Sequence, residues 1–287
     1  MSKKQKIGLG TITFNRPDYL RSIIASIEPC LDTIDEFVVI NDGEEIKDII
    51  LPKGELIKNE VNLGVAKSKN KAMKYLFDKG CDYIFIVEDD MIIKDKAIFQ
   101  KYVEAHKVSG IHHFNYGPGS PFNRKQVIQN FDLHNRHLLD EKSEPNPHLI
   151  VDYGLCKIAL YQHTVAMFSF FTRELLEQGL GYMPEEYFNA WEHVCSTYSI
   201  IKAGYHPPFW AFADLENSHH LIEEAPNAIN NSSIANNEEQ WKKNVMEGRE
   251  IYKNKHGHYP NQVAQPTKEQ IIESLKEIKK RYAVVQK

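Results

Sequence analysis

The 287-residue sequence predicts an α/β fold: a doubly wound, mostly parallel (mixed) sheet flanked by helices, with C-terminal helices after it. Three observations carry this. Short β-branched or aromatic runs alternate with helical segments through the first third of the chain. One of these runs, Tyr83 to Val87, ends in the consecutive acids Glu88, Asp89 and Asp90. Glu238 to Lys255 and Thr267 to Tyr282 are charged and amphipathic, as surface helices are.

Lys6 to Phe14 reads as the first strand, and Pro17 opens a helix in which Leu20, Ile23, Ile24 and Ile27 recur at helical spacing. Glu36 to Ile40 is a second strand ending at Asn41-Asp42-Gly43, and Glu55 to Lys58 a short third. Val65 to Lys79 is a helix with Ala66, Met73, Leu76 and Phe77 inward. The acid-tipped strand follows, then a helix from about Asp95 to Val108. After Ile111 the rhythm breaks at Gly117-Pro118-Gly119-Ser120-Pro121 and Glu144-Pro145-Asn146-Pro147. Val165 to Thr172 is a further strand, and Glu185 to Ala203 a helix. The expected division is residues 1–235 as one domain in two halves, 1–110 and 111–235, and 236–287 as a helical extension for packing or homo-oligomerisation.

A hydrophobic content of 42% supports a sizeable core, and a formal charge of -4 gives no general basic field for nucleic acid. Cys30, Cys81, Cys156 and Cys195 are too far apart for a zinc knuckle or a disulfide scaffold, which fits thiols in a reducing compartment. The apolar stretch after Met1 to Lys6 is broken by Asn15, Arg16, Pro17 and Asp18, unlike a secretory leader. With no run of about 18 apolar residues to span a bilayer, the expectation is a cytoplasmic protein.

Three acids at one strand end repel one another and point to a cation. In an open α/β sheet ligands bind outside the carboxyl ends of the strands, where these acids emerge. Hard oxygen ligands suit Mg²⁺ or Mn²⁺, whose shells are commonly completed by substrate phosphates. Gly8-Leu9-Gly10 is not a dinucleotide fingerprint, because Thr13 stands at the third glycine position and the glycines lie within the strand. No Gly-Lys-Ser or Gly-Lys-Thr is present, so there is no P-loop.

Four motifs in order, Thr13-Phe14-Asn15-Arg16-Pro17, Asn41-Asp42-Gly43-Glu44, Asn62-Leu63-Gly64-Val65-Ala66-Lys67-Ser68-Lys69-Asn70 and Glu88-Asp89-Asp90, resemble the nucleotide-binding half of a GT-A glycosyltransferase of the family 2 type. The resemblance covers residues 6–110 and, more loosely, 165–225. It departs from the commoner Asp-Asp-Gly-Ser at Asn41 and Glu44, and from Asp-x-Asp at Glu88-Asp89-Asp90. It implies a metal-dependent, inverting transfer from a UDP-sugar to an acceptor hydroxyl. The acceptor stays open between a glycan, a lipid-linked glycan, a protein and a modified nucleic-acid base. The resemblance puts nucleotide-sugar contacts at Thr13, Asn15, Arg16, Asp42, Gly64, Lys69, Asn70, Glu88 and Asp89, and the metal at Asp90. Asp42 suits the imide N-H of uracil, and facing a ligand it is expected to have little structural role.

Trp191-Glu192-His193 resembles the acidic base motif of that family, with His193 in place of the second acid. On a helix from Glu185, Glu192 lies at the edge of an apolar face with Phe188, Trp191, Cys195 and Tyr198, where partial desolvation raises its pKa toward a useful base; His193 is the rival, and Asp152 and Asp214 are further carboxylates. His219-His220 falls where family members place a histidine that completes the metal shell. His112-His113, and the aromatics Trp191, Tyr205, Phe209 and Trp210, are open between substrate contact and core. Two other classes stay in view. A nucleotidyltransferase would need a glycine-rich basic loop that Thr13 to Asp18 lacks, and an inactive nucleotide-sugar-binding module would not need the acids and the base together.

Overall fold

The computed structural model describes residues 4–125, 143–228, 231 and 237–284. The expected domain boundary at 235/236 lies outside them. Its centre is a six-stranded sheet of β1 (Ile7–Thr13), β2 (Glu36–Asn41), β3 (Glu55–Lys58), β4 (Tyr83–Glu88), β6 (His113–Asn115) and β9 (Phe168–Thr172), in the order β3-β2-β1-β4-β9-β6. The first four run parallel, while β9 is antiparallel to both β4 and β6. The sheet is therefore mixed, as expected, and β1 and β4 are central strands buried on both faces, which is why their sequences are continuously apolar.

Helices α1 (Pro17–Ile27) and α3 (Ile98–Ser109) cover one face, burying Leu20, Ile23, Phe99 and Tyr102 against Phe85 and Phe168. Helix α2 (Val65–Asp78) and the later α5 (Glu192–Lys202) cover the other, burying Ala72, Leu76 and Cys195 with Ile84 and Ile86. Each such apolar side chain contributes about 1.5–3 kcal/mol. The glycines of β1 serve this packing: a Cβ at Gly8 would stand 2.6 Å from Cys81 Sγ, and one at Gly10 would stand 2.9 Å from Ala72 Cβ. They bring α2 close to the sheet.

The region after Ile111, read as mostly irregular, holds several short strands. Strands β7 (Leu149–Asp152), β8 (Lys157–Tyr161) and β10 (Phe212–Leu215) make an antiparallel three-stranded sheet, and β5 (Met91–Ile93) pairs with β11 (Ile222–Glu224). At three to five residues each, they are too short to show a period. A short helix α4 (Arg173–Glu177) follows β9. Helices α6 (Glu238–His256) and α7 (Lys268–Tyr282) match their expected spans, and Ile271, Leu275 and Ile278 of α7 join the core beside α3.

The helix expected from Glu185 begins only at Glu192. Trp191 stands before it with φ 69°, a left-handed conformation that no helix continues through. The preceding residues are pinned elsewhere: the Asn70 side chain donates to Met183 O and accepts from Met183 N, both at 2.7 Å, and Phe188 O accepts the Val65 N-H at 2.7 Å. This last bond satisfies the first turn of α2. Phe188 O also explains Gly64, whose φ of 83° and ψ of 171° suit glycine alone and whose absent Cβ would lie 2.6 Å from that oxygen. Gly64→Ala is expected to destabilise the fold by about 2 kcal/mol or more, read as a lower denaturant midpoint at unchanged m-value. An unshifted midpoint would mean that the 183–191 segment is not docked there.

Candidate active site

The parallel strands end on one edge, and the polar residues after β1, β2 and β4 meet there. The three acids are sorted between two cations. Glu88 turns toward α2, where its Oε1 accepts from Lys69 Nζ at 2.7 Å. Asp89 and Asp90 turn toward the β1-α1 loop, where Arg16 Nη2 pairs with Asp89 Oδ1 and Arg16 Nη1 with Asp90 Oδ2 at 2.9 Å. Thr13 Oγ1 donates to Asp89 Oδ2 at 2.6 Å. Burial foremost, with Asp90 and Glu88 as like-charged neighbours, pushes the Asp89 carboxyl up to about 7 against the pull of Arg16 and Thr13. Asp90 Oδ1 is buried with no hydrogen-bond partner among the described residues.

Asp42 is built into the fold as well as into the site, which corrects the expectation of little structural role. Its Oδ1 accepts from Asn59 Nδ2 and the Leu63 N-H, and its Oδ2 from the Gly64 N-H, each at 2.8 Å. Oδ2 keeps a lone pair for a further donor, and Asp42 lines a cavity of about 220 Å³ with Thr13, Gly64, Ser68 and Glu88. Asn15, at φ 54°, accepts the Glu44 N-H at 2.8 Å and stitches two loops together, and Asn70 is committed to Met183. Neither lines that cavity. They position the residues that do.

Lys69, 1% exposed, ties the acid tip to the start of α5. Besides Glu88 it donates to Ala166 O at 2.9 Å and lies 3.8 Å from Glu192 Oε1. Glu192 is the first residue of α5 and buried, not at the edge of a half-exposed face, because Phe188 and Trp191 precede the helix. Its acidity is also opposite to expectation. Burial alone would raise its pKa, but the hydrogen bond and charge of His193, and after them the Lys69 charge, prevail and lower it to about 2. His193 Nδ1 lies 3.4 Å from Glu192 Oε1, and Nε2 lies 3.2 Å from Thr164 O, so both ring nitrogens face acceptors.

The remaining candidates separate from this centre. His219 and His220 precede β11, whose register sets Ile222 opposite Ile93 and Ala225 N on Asp90 O at 2.7 Å. His219 and His220 lie in the 3₁₀ turn Ser218–His220, and the strand Ile222–Glu224 stands between them and Ala225, the residue that meets Asp90. The metal set Asp90, His219 and His220 is not assembled, and no group of three His, Cys, Asp or Glu among the described residues is placed to hold a metal. His112 and His113 are core residues, buried at 2% and 1%. Asp214 is fully buried under four donors, from Tyr102, Gly117, Leu215 and Ser218. All four cysteines are free, and no helix among the described residues is long and apolar enough to cross a membrane.

The sequence reading missed the far wall of the cavity, formed by Phe188 and Asn189 and by Asn237, Gln240, Trp241 and Asn244 at the start of α6. The signal was there in Asn237, an N-cap that accepts the Gln240 N-H, followed by polar and aromatic residues at helical spacing.

A parallel half-sheet whose carboxyl edge carries Arg16 and three acids is thus joined through the antiparallel β9 to a helix that starts with Glu192-His193. The family model for glycosyl transferase family 2 matches residues 9–174, more than half of the chain, and the chain belongs to that family. Among solved structures it is similar to TarS 1-349 of S. aureus, at 14% identity and a TM-score of 0.46, covering 96% of this chain and 80% of that one. It is also similar to the mannosyltransferase PcManGT of Pyrobaculum calidifontis in complex with GDP-Man and Mn²⁺, at 11% identity and a TM-score of 0.43, covering 69% and 52%. The match to a longer TarS structure has 19% identity and a TM-score of 0.43, and spans 67% of this chain but only a third (33%) of that one. No curated protein matches the sequence.

Because Glu192 is held at about 2 in the folded chain, below the ordinary value of 4.5, its contribution to stability is present above about pH 4.5 and lost as pH falls toward 2. Glu192→Gln is therefore expected to lower unfolding free energy at pH 7 by about 2 kcal/mol, with the gap to the parent closing in acid. Denaturant melts at pH 7 and pH 3 check this, and a gap that stays constant would refute the ionised pair.

Proposed function

We propose that the chain transfers a sugar from a UDP-sugar to an acceptor hydroxyl by a single inverting displacement, with a divalent cation at Asp90. The observation that carries this reading is the Lys69 bridge, which fixes the acid tip and the Glu192-His193 pair in one arrangement. A leaving-group site and a base site held a lysine ammonium apart are what a one-step transfer needs.

The uridine end belongs in the cavity beside Asp42, whose Oδ2 has room for the imide N-H. The buried, unpartnered Oδ1 of Asp90 fits a hard cation, and one or two carboxylates suffice for Mg²⁺ or Mn²⁺ when substrate phosphates complete the shell. When bound, the ion supplies Lewis-acid stabilisation of the departing diphosphate. Arg16 adds positive charge at the same place and holds Asp89 and Asp90 in position.

Of the two base candidates, the structure favours His193. A carboxylate as acidic as Glu192, buried and tied to Lys69, accepts a proton poorly. The His193 side chain is 20% exposed, and Glu192 orients it through Nδ1. With Nε2 turned from Thr164 O to the acceptor, the neutral ring takes the hydroxyl proton as the new glycosidic bond forms and UDP leaves. A saccharide acceptor is the simplest fit to a chain without a general basic field. Residues 111–235 are the proposed acceptor half.

Two variants test the assignment. Asp90→Asn is expected to abolish the difference in UDP affinity between Mn²⁺ and excess chelator, by calorimetry. His193→Ala should lower turnover by about 10²-fold or more while UDP affinity stays near the parent's, by donor hydrolysis or transfer beside a UDP titration. Equal UDP affinity with and without Mn²⁺ in the parent would sink the cation, and parental turnover in His193→Ala would sink the base.

A further inference from the structure

Helix α6 lies beyond residues 9–174, the stretch the family model matches, and its first turns line the cavity beside Asp42. We infer that α6 is part of the donor site: Trp241, with Phe188, is the stacking wall for the nucleobase, and the amide chain Gln240-Asn244-Asn189 is its polar edge. This rests on the donor-site reading above and adds residues that reading does not contain.

The chemistry of the lining selects the occupant. Its charged members among the described residues are Asp42 and Glu88, so the cavity repels a diphosphate and favours a neutral group with hydrogen-bond donors. Phe188 is 47% exposed and Trp241 half-buried, leaving aromatic surface for a planar ring. Every nucleobase has a π-face for such a wall. The diphosphate then lies toward Arg16 and Asp90, outside the apolar part.

The wall is built in place. Asn244 Nδ2 donates to Asn189 Oδ1 at 2.7 Å, and Asn244 Oδ1 accepts from Gln240 Nε2 at 2.8 Å. One turn on, Gly248 sits in the helix interior, where glycine is unfavourable by roughly 0.5–1 kcal/mol relative to alanine. Its place is explained by close approach: a Cβ there would stand 2.9 Å from both Ala190 O and Trp191 Cδ1. Further along, Tyr252 is buried and His256 Nε2 meets Cys195 Sγ at 3.1 Å. Thus α6 is anchored along its length to α5 and the segment before it, and that anchorage sets its first turns over the cavity.

The test uses the full chain with UDP, uridine and pyrophosphate as probes. Trp241→Ala should weaken UDP and uridine by the same factor, roughly ten- to hundredfold, and leave pyrophosphate with Mn²⁺ unchanged; Trp241→Phe should retain most of the affinity. Gln240→Ala, at an exposed position, should weaken UDP severalfold without moving the melting temperature. Hydrogen exchange on the unmutated chain gives a readout independent of whether a variant folds: UDP should slow the amides of residues 238–246. If the parent binds UDP while Trp241→Ala and Gln240→Ala bind like it and the α6 amides exchange unchanged, this inference falls and the donor site stands. If the parent binds neither UDP nor uridine, the donor-site reading itself falls.

Discussion

The site depends on the burial of one ammonium group. Lys69 is held inside the protein by Glu88, Ala166 O and Glu192, contributed by the end of β4, the approach to β9 and the start of α5. Stripping water from an ammonium costs several kcal/mol, and only a full set of acceptors at short range offsets it. The three elements therefore hold one relative position. The same charge adds to the larger effect of His193 in keeping Glu192 ionised, so Lys69 sets the geometry of the pair at the head of α5 and contributes to its protonation.

Three adjacent carboxylates are tolerated for a related reason. Glu88 goes to Lys69 on one side, and Asp89 and Asp90 to Arg16 on the other. The protein supplies two positive charges to three negative ones before any ion binds. Repulsion alone thus overstates the need for a metal, and the better support for one is narrower: a buried oxygen, Asp90 Oδ1, that no group among the described residues serves.

Most of the first 110 residues were legible because β1, β2, β4 and the three helices there are long enough to show their pattern, and because the polar residues of the site sit at strand ends where it stops; the three-residue β5 was missed. The later half was not. Strands of three to five residues carry no period, and the start of α5 is fixed by contacts to Asn70 and Val65 from distant sequence, which overrode the helical pattern of residues 185–191. Motif position also misled at His219 and His220, because the β5-β11 register that sets their place relative to Asp90 is a pairing between segments some 130 residues apart. Asn70 and Asn15 were placed near the right surface but given ligand contacts, when their hydrogen bonds go to backbone.

A division of labour along the chain follows. The region common to the family ends at residue 174, and within it lie the acid tip, Arg16, Asp42 and Lys69. Glu192, His193 and the α6 wall all come later, as does Asp214, whose buried carboxyl gathers donors from α3, the Gly117 loop and the Ser218 turn and so ties together the ends of the second half. Burial pushes that carboxyl up to about 6 against four donated hydrogen bonds, which marks it as a structural hub rather than a base open to substrate. In the proposed function the matched stretch supplies the groups for the nucleotide diphosphate. The cavity's outer wall and the proposed base beyond the Lys69 bridge lie outside that stretch, so on this reading selectivity among donors and acceptors would be decided there.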